Sequence, residues 1–128
     1  MDERRFKERT KQLALRVIRM VESLPKSRSA DVIGRQLLRS ATSVGANYRA
    51  ACRGKSTADV ISKLGIVEEE ADESVYWMEL LIDGGFIAAD RLQELLDETN
   101  QIVAMTVASI KTLRSRTRPP LPNPKSKI

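Results

Sequence analysis

The side chains able to do chemistry in this chain are few, and histidine is not among them. The 128 residues contain no His and a single Cys, Cys52. Nucleophilic catalysis by Ser, Thr or Cys needs a neighbouring base, which is most often His. The hydroxyls of Ser40, Thr42 and Ser43 therefore have no activating partner, and Cys52 is expected to be a small packed residue. The composition predicts a protein that is not an enzyme and has no small-molecule substrate.

An acidic run, Glu68-Glu69-Glu70-Ala71-Asp72-Glu73, is the pattern closest to a metal site. Ferritin-like bundles hold iron through Glu residues on facing helices and through Glu-x-x-His pairs. Here His is absent and the acids are concentrated in one segment. We therefore expect no metal and no cofactor, and interpret the run as an exposed or interface surface.

Charge is divided unevenly between neighbouring segments. Residues 25–55 hold seven basic residues and one acid, whereas residues 56–83 hold one basic residue and eight acids. At about 100° per residue on a helix, the first segment carries a basic stripe of Arg35, Arg39, Arg49 and Arg53. The second carries an acidic stripe of Glu68, Asp72, Glu79 and Asp83, with Tyr76 among them and Trp77 beside it.

Three interpretations of the stripes stay open. They are solvated faces with some ion pairs between neighbouring helices, which contribute little to stability. Alternatively, they are complementary interface surfaces on separate subunits, which form a head-to-tail contact that closes into a ring where the rotation allows. In the third interpretation the basic stripe binds phosphate directly. Tyr76 and Trp77 fit either the edge of a bundle or a subunit interface.

The end of the chain is strongly basic. Residues 99–128 hold six basic residues and no acid, so the net charge of +5 leaves −1 for residues 1–98. Beyond Thr117 the sequence is RPPLPNPKSKI, which favours extended backbone over helix. We expect either a solubilising disordered end or a segment that follows a phosphate backbone. The residues predicted to bind nucleic acid are Arg114, Arg116, Arg118, Lys125 and Lys127.

Helical spacing of apolar residues recurs along the rest of the chain. It predicts helices over residues 3–24, about 30–53, from Ser56 to the Gly84-Gly85 pair, and about 88–114. In the last of these, the expected core positions are Leu92, Leu95, Thr99, Ile102, Thr106, Ser109 and Leu113. Short turns between such helices predict an all-α, up-down-up-down antiparallel four-helix bundle over residues 1–116, with a flexible basic tail over 117–128. The lack of a long apolar run and the single Cys favour a cytoplasmic protein without a membrane span.

Several segments resemble one known family. Residues 36–48 (QLLRSATSVGANY), 63–74 (KLGIVEEEADES) and 76–81 (YWMELL) are similar to small four-helix-bundle proteins encoded in intervening sequences of bacterial large-subunit rRNA genes. The family is also described as ribosomal-protein-like. Its distant relatives include accessory proteins of diversity-generating retroelements, which bind a reverse transcriptase and nucleic acid. The resemblance covers about residues 6–116, and residues 45–51 (GANYRAA) depart from the commoner family pattern PSNxAEG.

The resemblance implies a homopentameric barrel of four-helix bundles. It also implies structural roles for Asn47, which matches the family's Asn in the second helix, and for Glu69 or Glu70, which match its acid in the third. Together with the charge pattern, it predicts a non-enzymatic, homo-oligomeric accessory scaffold that binds RNA or DNA, or a ribonucleoprotein, through basic surfaces. The alternative is a protein–protein interaction module whose charged stripes serve only self-assembly. The two differ in whether the arginines of the basic stripe are exposed in the assembly.

Overall fold

Three of the helices begin at side chains that cap their free N–H groups. The computed structural model describes residues 2–117, which form α1 (Glu3–Glu22), α2 (Arg28–Cys52), α3 (Thr57–Asp83) and α4 (Ala89–Thr117). Before α2, Ser27 Oγ accepts a hydrogen bond from the Ala30 N–H at 3.0 Å. Before α3, Ser56 Oγ accepts from the Asp59 N–H at 3.1 Å, and Asp59 accepts in return from the Lys55 N–H at 3.0 Å. Both arrangements satisfy donors that a helix leaves unpaired at its start.

The end of α3 is fixed by the predicted glycine pair. Gly85 has φ of +78°, which a residue without a Cβ adopts at little cost. Its N–H donates to the Ile82 carbonyl at 3.0 Å, and the Phe86 N–H donates to the Leu81 carbonyl at 2.9 Å. This is the Schellman arrangement that ends many helices.

The four helices form the predicted all-α antiparallel bundle. The most extensive packing is between α2 and α3, followed by α3 with α4 and α1 with α2, while α1 meets α4 sparsely. The helix bounds differ from the prediction by one to three residues. In particular, α1 ends at Glu22 and not at residue 24, α2 begins at Arg28 because Ser27 caps it, and α4 continues to Thr117, one residue into the predicted tail. The rest of that tail lies outside the described residues.

The core lies along the bundle axis. Its largest fully buried side chains include residues from all four helices, namely Phe6, Leu13, Leu37, Met78, Leu81, Leu92 and Ile102. The predicted core positions of α4 hold as far as Thr106, after which Ile110 is buried and Leu113 only partly so. An α-helix drifts about 20° per heptad from a strict seven-residue repeat. The core face therefore moves from Ser109 to Ile110 in the last turns.

Candidate interaction surfaces

Arg39 is the member of the basic stripe that forms ion pairs with another helix of its own chain. Its Nη1 lies 3.1 Å from Glu70 Oε2 and its Nη2 lies 2.7 Å from Glu73 Oε2, both on α3. Its Nε donates to Gln36 Oε1 at 3.3 Å. The guanidinium keeps about half of its surface exposed, but its donors are directed at α3. The sequence pattern singled out the acids on the outer side of α3 and missed that Glu73 faces α2.

The other three arginines of the stripe are free of the neighbouring helices. Arg35 pairs with Asp31, one turn earlier on α2, at 3.0 Å, and both side chains are mostly exposed. Arg49 and Arg53 are exposed, and the described residues offer them no ion pair. The basic stripe therefore has three parts in the single chain: Arg35 is paired within α2, Arg39 is paired with α3, and the C-terminal part, Arg49 and Arg53, faces solvent without an ion pair within residues 2–117.

The acidic stripe remains on the surface. Asp72, Glu79 and Asp83 are exposed and Glu68 is half-buried. Within residues 2–117 none of these four carboxylates forms an ion pair with a basic residue. Arg49 and Arg53 on α2 and these four carboxylates on α3 thus have no ion-pair partner within residues 2–117.

The two neighbouring aromatic residues of α3 have different surroundings. Tyr76 is 53% exposed, whereas Trp77 is half-buried and packs against the core. Their rings meet edge to face with centroids 5.1 Å apart. The Trp77 Nε1 is buried and has no acceptor among the described residues. Tyr76 is therefore the aromatic side chain that α3 exposes to solvent.

The residues assigned structural roles by resemblance lie at separate places. Asn47 Nδ2 donates to the Ser43 carbonyl of its own helix at 2.8 Å. Glu70 forms the contact with Arg39 between α2 and α3. Glu69 is exposed and has no ion pair within the described range. The three residues therefore do not converge on a common site.

The basic residues near the end of α4 lie at the end of the bundle where α1 begins and α2 ends. Arg114 and Arg116 are exposed in the last turn of the helix. Arg116 lines a cavity of about 630 Å³ together with Glu3, Tyr48 and Cys52. The start of α1, the end of α2 and the end of α4 therefore meet at the same end of the molecule. Arg118, Lys125 and Lys127 lie outside the described residues.

Polar groups in that cavity influence one another. Burial raises the pKa of the Cys52 thiol, and a hydrogen bond to the Glu3 carboxylate raises it further. Burial also raises the pKa of the Tyr48 hydroxyl, as does the neighbouring Cys52. A thiol held in its protonated form is a weak nucleophile, because the thiolate is the reactive species.

Residues 2–117 contain no group of three or more His, Cys, Asp or Glu side chains placed to hold a metal ion. Over the same stretch, no helix combines the length and apolar character that crossing a membrane requires.

Comparison with known proteins identifies the family. Residues 3–108 match the family described as 23S rRNA-intervening sequence protein. The fold is also similar to the crystal structure of a protein of unknown function from the S23 ribosomal protein family of Bacteroides thetaiotaomicron VPI-5482. That similarity has a TM-score of 0.80 at 33% identity, and covers 87% of this chain and 99% of the other. A search of curated proteins found no match. The chain belongs to the 23S rRNA-intervening sequence protein family.

Proposed function

We propose that this protein is a non-enzymatic, homo-oligomeric scaffold, pentameric and cytoplasmic, that binds nucleic acid or a ribonucleoprotein through basic surfaces. The observation that carries the proposal is a set of exposed cations that no carboxylate within residues 2–117 neutralises. Arg49, Arg53, Arg114 and Arg116 are exposed and have no ion pair within residues 2–117. A guanidinium in this state can bind phosphate with two parallel hydrogen bonds.

Assembly would make such contacts effective. Each exposed cation contributes a weak, salt-sensitive contact with a phosphate. Several copies held in one particle present the same cations repeatedly, so the contacts reinforce one another without any new interaction. The pentamer itself is an expectation from the family resemblance, and the exposed, unpaired charges on α2 and α3 are compatible with a head-to-tail contact between copies.

One observation favours the alternative, a protein–protein interaction module. Tyr76 exposes about half of its surface on α3, between the unpaired carboxylates of Asp72 and Glu79. Tyr is enriched at protein interfaces. In that function the acidic stripe and the C-terminal part of the basic stripe would meet across a subunit contact and leave few cations for nucleic acid.

Binding and mass should be measured together on the full-length protein. Fluorescent single-stranded RNA, single-stranded DNA and duplex DNA would be titrated between about 50 and 300 mM salt, a range over which phosphate contacts weaken steeply. Affinity that falls steeply with salt, in a particle heavier than one chain, supports the scaffold. Absence of binding at the lowest salt would contradict it and leave the interaction module. An Arg114→Gln/Arg116→Gln variant, and deletion of residues 117–128, test the contribution of the basic C-terminal region.

A further inference from the structure

A groove between α1 and α2 collects cations from both helices. It has a volume of about 540 Å³, and four basic side chains line it against one carboxylate, that of Glu8. The four are Arg4, Lys7, Lys11 and Arg49. Of these, Lys7 lies 3.4 Å from Glu3, while Arg4, Lys11 and Arg49 have no ion pair within residues 2–117.

Small residues line the groove where α1 and α2 approach each other closely. A Cβ at Gly45 would lie 3.2 Å from Thr10 Oγ1, which is a tight contact. Ala14 and Ala46 also line the groove. The groove is therefore lined by four long basic side chains together with small residues.

On α1 the cations follow one line along the helix. Arg4, Lys7 and Lys11 are spaced by three and four residues, so they share a face. Like charges at this spacing destabilise a helix, and a bound anion removes the repulsion. From Arg4 to Lys11 the helix rises about 10 Å. One nucleic acid strand presents about three phosphates over that length.

The hydroxyl groups of the groove are engaged within their own helices. The Thr10 hydroxyl donates to the Phe6 or Lys7 carbonyl, each at 3.0 Å. The Thr42 hydroxyl donates to the Leu38 carbonyl at 2.7 Å or to that of Arg39 at 3.1 Å. Neither hydroxyl is left to donate to a ligand. Charge alone would attract the anion, and such contacts carry no sequence information.

A protein partner fits this groove less well. The exposed large apolar side chains within residues 2–117 are Ile18, Val32, Ile66 and Tyr76. None of them lines the groove. Stable protein interfaces centre on buried aromatic or large apolar residues and are depleted in Lys.

We infer that the α1–α2 groove is a binding track for the phosphate backbone of a nucleic acid strand, held by Arg4, Lys7, Lys11 and Arg49 without sequence specificity. The inference rests on the proposed function and names the surface that performs it. Arg53 lies one turn beyond Arg49, towards the end of the bundle that also carries Arg116. The track therefore leads from the groove towards the basic end of α4.

Removing two cations from the groove tests the inference. The probes are fluorescent 20-nucleotide oligo(U) and oligo(dT) and a 20-base-pair DNA duplex, which distinguish RNA from DNA as the source of the strand. In full-length Lys11→Gln/Arg49→Gln, we expect the slope of log K against log salt to fall in magnitude by about 1.4 for single strands and about 1.8 for duplex DNA. The control Arg19→Gln/Arg28→Gln removes the same charge from exposed positions outside the groove and should leave the slope nearly unchanged.

Four results would overturn the inference, and they separate it from the proposed function. If the unmodified protein binds no probe, both fail. If it binds and the groove variant binds equally well, the groove is not the track, although the scaffold function stands. Equal weakening by both double variants would show an effect of net charge alone. A lower sedimentation mass for the groove variant, with helicity by circular dichroism unchanged, would make the groove a contact between copies.

Discussion

Arg9 on α1 and Glu98 on α4 form a two-pronged ion pair that joins the two helices that pack most sparsely. Arg9 Nη2 donates to Glu98 Oε1 at 2.6 Å, and Arg9 Nε donates to Glu98 Oε2 at 3.0 Å. The same guanidinium reaches Gln101 Oε1 at 3.2 Å and the Met105 sulfur at 3.0 Å. The Glu98 carboxylate raises the pKa of Arg9. This cluster bridges the pair of adjacent helices that meet most sparsely.

Glu98→Gln should therefore destabilise the bundle. Both side chains are largely shielded, with 33% of Arg9 and 22% of Glu98 exposed. Hydrogen bonds to charged groups contribute about 1.5–3 kcal/mol, and partial exposure reduces this, so we expect the free energy of unfolding to fall by about 1–2 kcal/mol. Urea denaturation at a fixed protein concentration measures the change. Glu94→Gln removes an exposed carboxylate from the same helix and should change stability little; equal losses in the two variants would contradict the role of the pair.

A second polar contact joins α2 and α3 inside the core. Ser40 Oγ and Ser74 Oγ lie 2.8 Å apart, and both residues are fully buried. We expect Ser74→Ala to lower the free energy of unfolding by about 1 kcal/mol, because it removes a buried hydrogen bond. The Ser40→Ala/Ser74→Ala double variant should lose less than the sum of the two single losses, by about 0.5–1 kcal/mol.

Denaturation of the complete double-mutant cycle provides the measurement. Thr99 supplies the control, since its buried hydroxyl donates to the Leu95 carbonyl of its own helix at 2.7 Å. The Ser40→Ala/Thr99→Ala pair should be additive. Additivity in the serine pair as well would mean that the two hydroxyls do not stabilise each other.

The helices were predictable because their signals are local. Ser56 followed by Asp59 marks the start of α3, and the Gly84-Gly85 pair marks its end. Both signals are independent of how the helices pack. The predicted core position Ser109 was wrong because a strict seven-residue repeat does not match the period of an α-helix. Over the five turns from Leu92 to Ile110 the difference accumulates, so the buried position is Ile110 and not Ser109.

The partners of the charged side chains were not predictable in the same way. An angular plot fixes the face of a helix but not the rotation of one helix against its neighbour. Glu73 therefore looked no different from the outward-facing acids, although it meets Arg39. The pairing of Arg9 with Glu98 joins residues far apart in sequence and depends on how α1 closes against α4. The cationic groove was missed because half of it lies on α1, away from the recognised stripe.

The surface most suited to a contact between copies is the outer side of α3. Reversing the charge of Arg39 is a poor test of such a contact, because Arg39 meets Glu70 and Glu73 within one chain. Tyr76→Glu is a better one, since the side chain is 53% exposed. If a contact between copies buries the Tyr76 side chain, a carboxylate placed there, one turn from Asp72, would be buried without a partner and would weaken the contact. We expect the sedimentation mass to fall towards that of a single chain, with unchanged helicity.

Ile18→Glu is the matched control for Tyr76. Ile18 is 39% exposed on α1, outside both charged stripes, and is also apolar, so it receives the same new charge. Its mass should equal that of the unmodified protein. An unchanged mass for Tyr76→Glu would place the contact between copies elsewhere, and equal losses in the two variants would indicate a general effect of added negative charge.

Cys52 should react slowly with iodoacetamide near pH 8, because burial and then the Glu3 carboxylate raise the pKa of its thiol. Glu3→Gln removes the second cause while leaving the first, so we expect faster alkylation and a pH midpoint that moves down. Lys7→Gln is the opposite control: Lys7 lowers the same pKa, and its loss should slow the reaction. Identical rate profiles for the two variants would show that Glu3 and Lys7 do not act on the thiol.

The raised pKa also makes the free energy of unfolding depend on pH. Because the folded-state pKa lies above the unfolded value of about 8.5, the contribution of the protonated thiol to stability is fully present below that pH. This contribution is lost as the pH rises through the folded-state pKa.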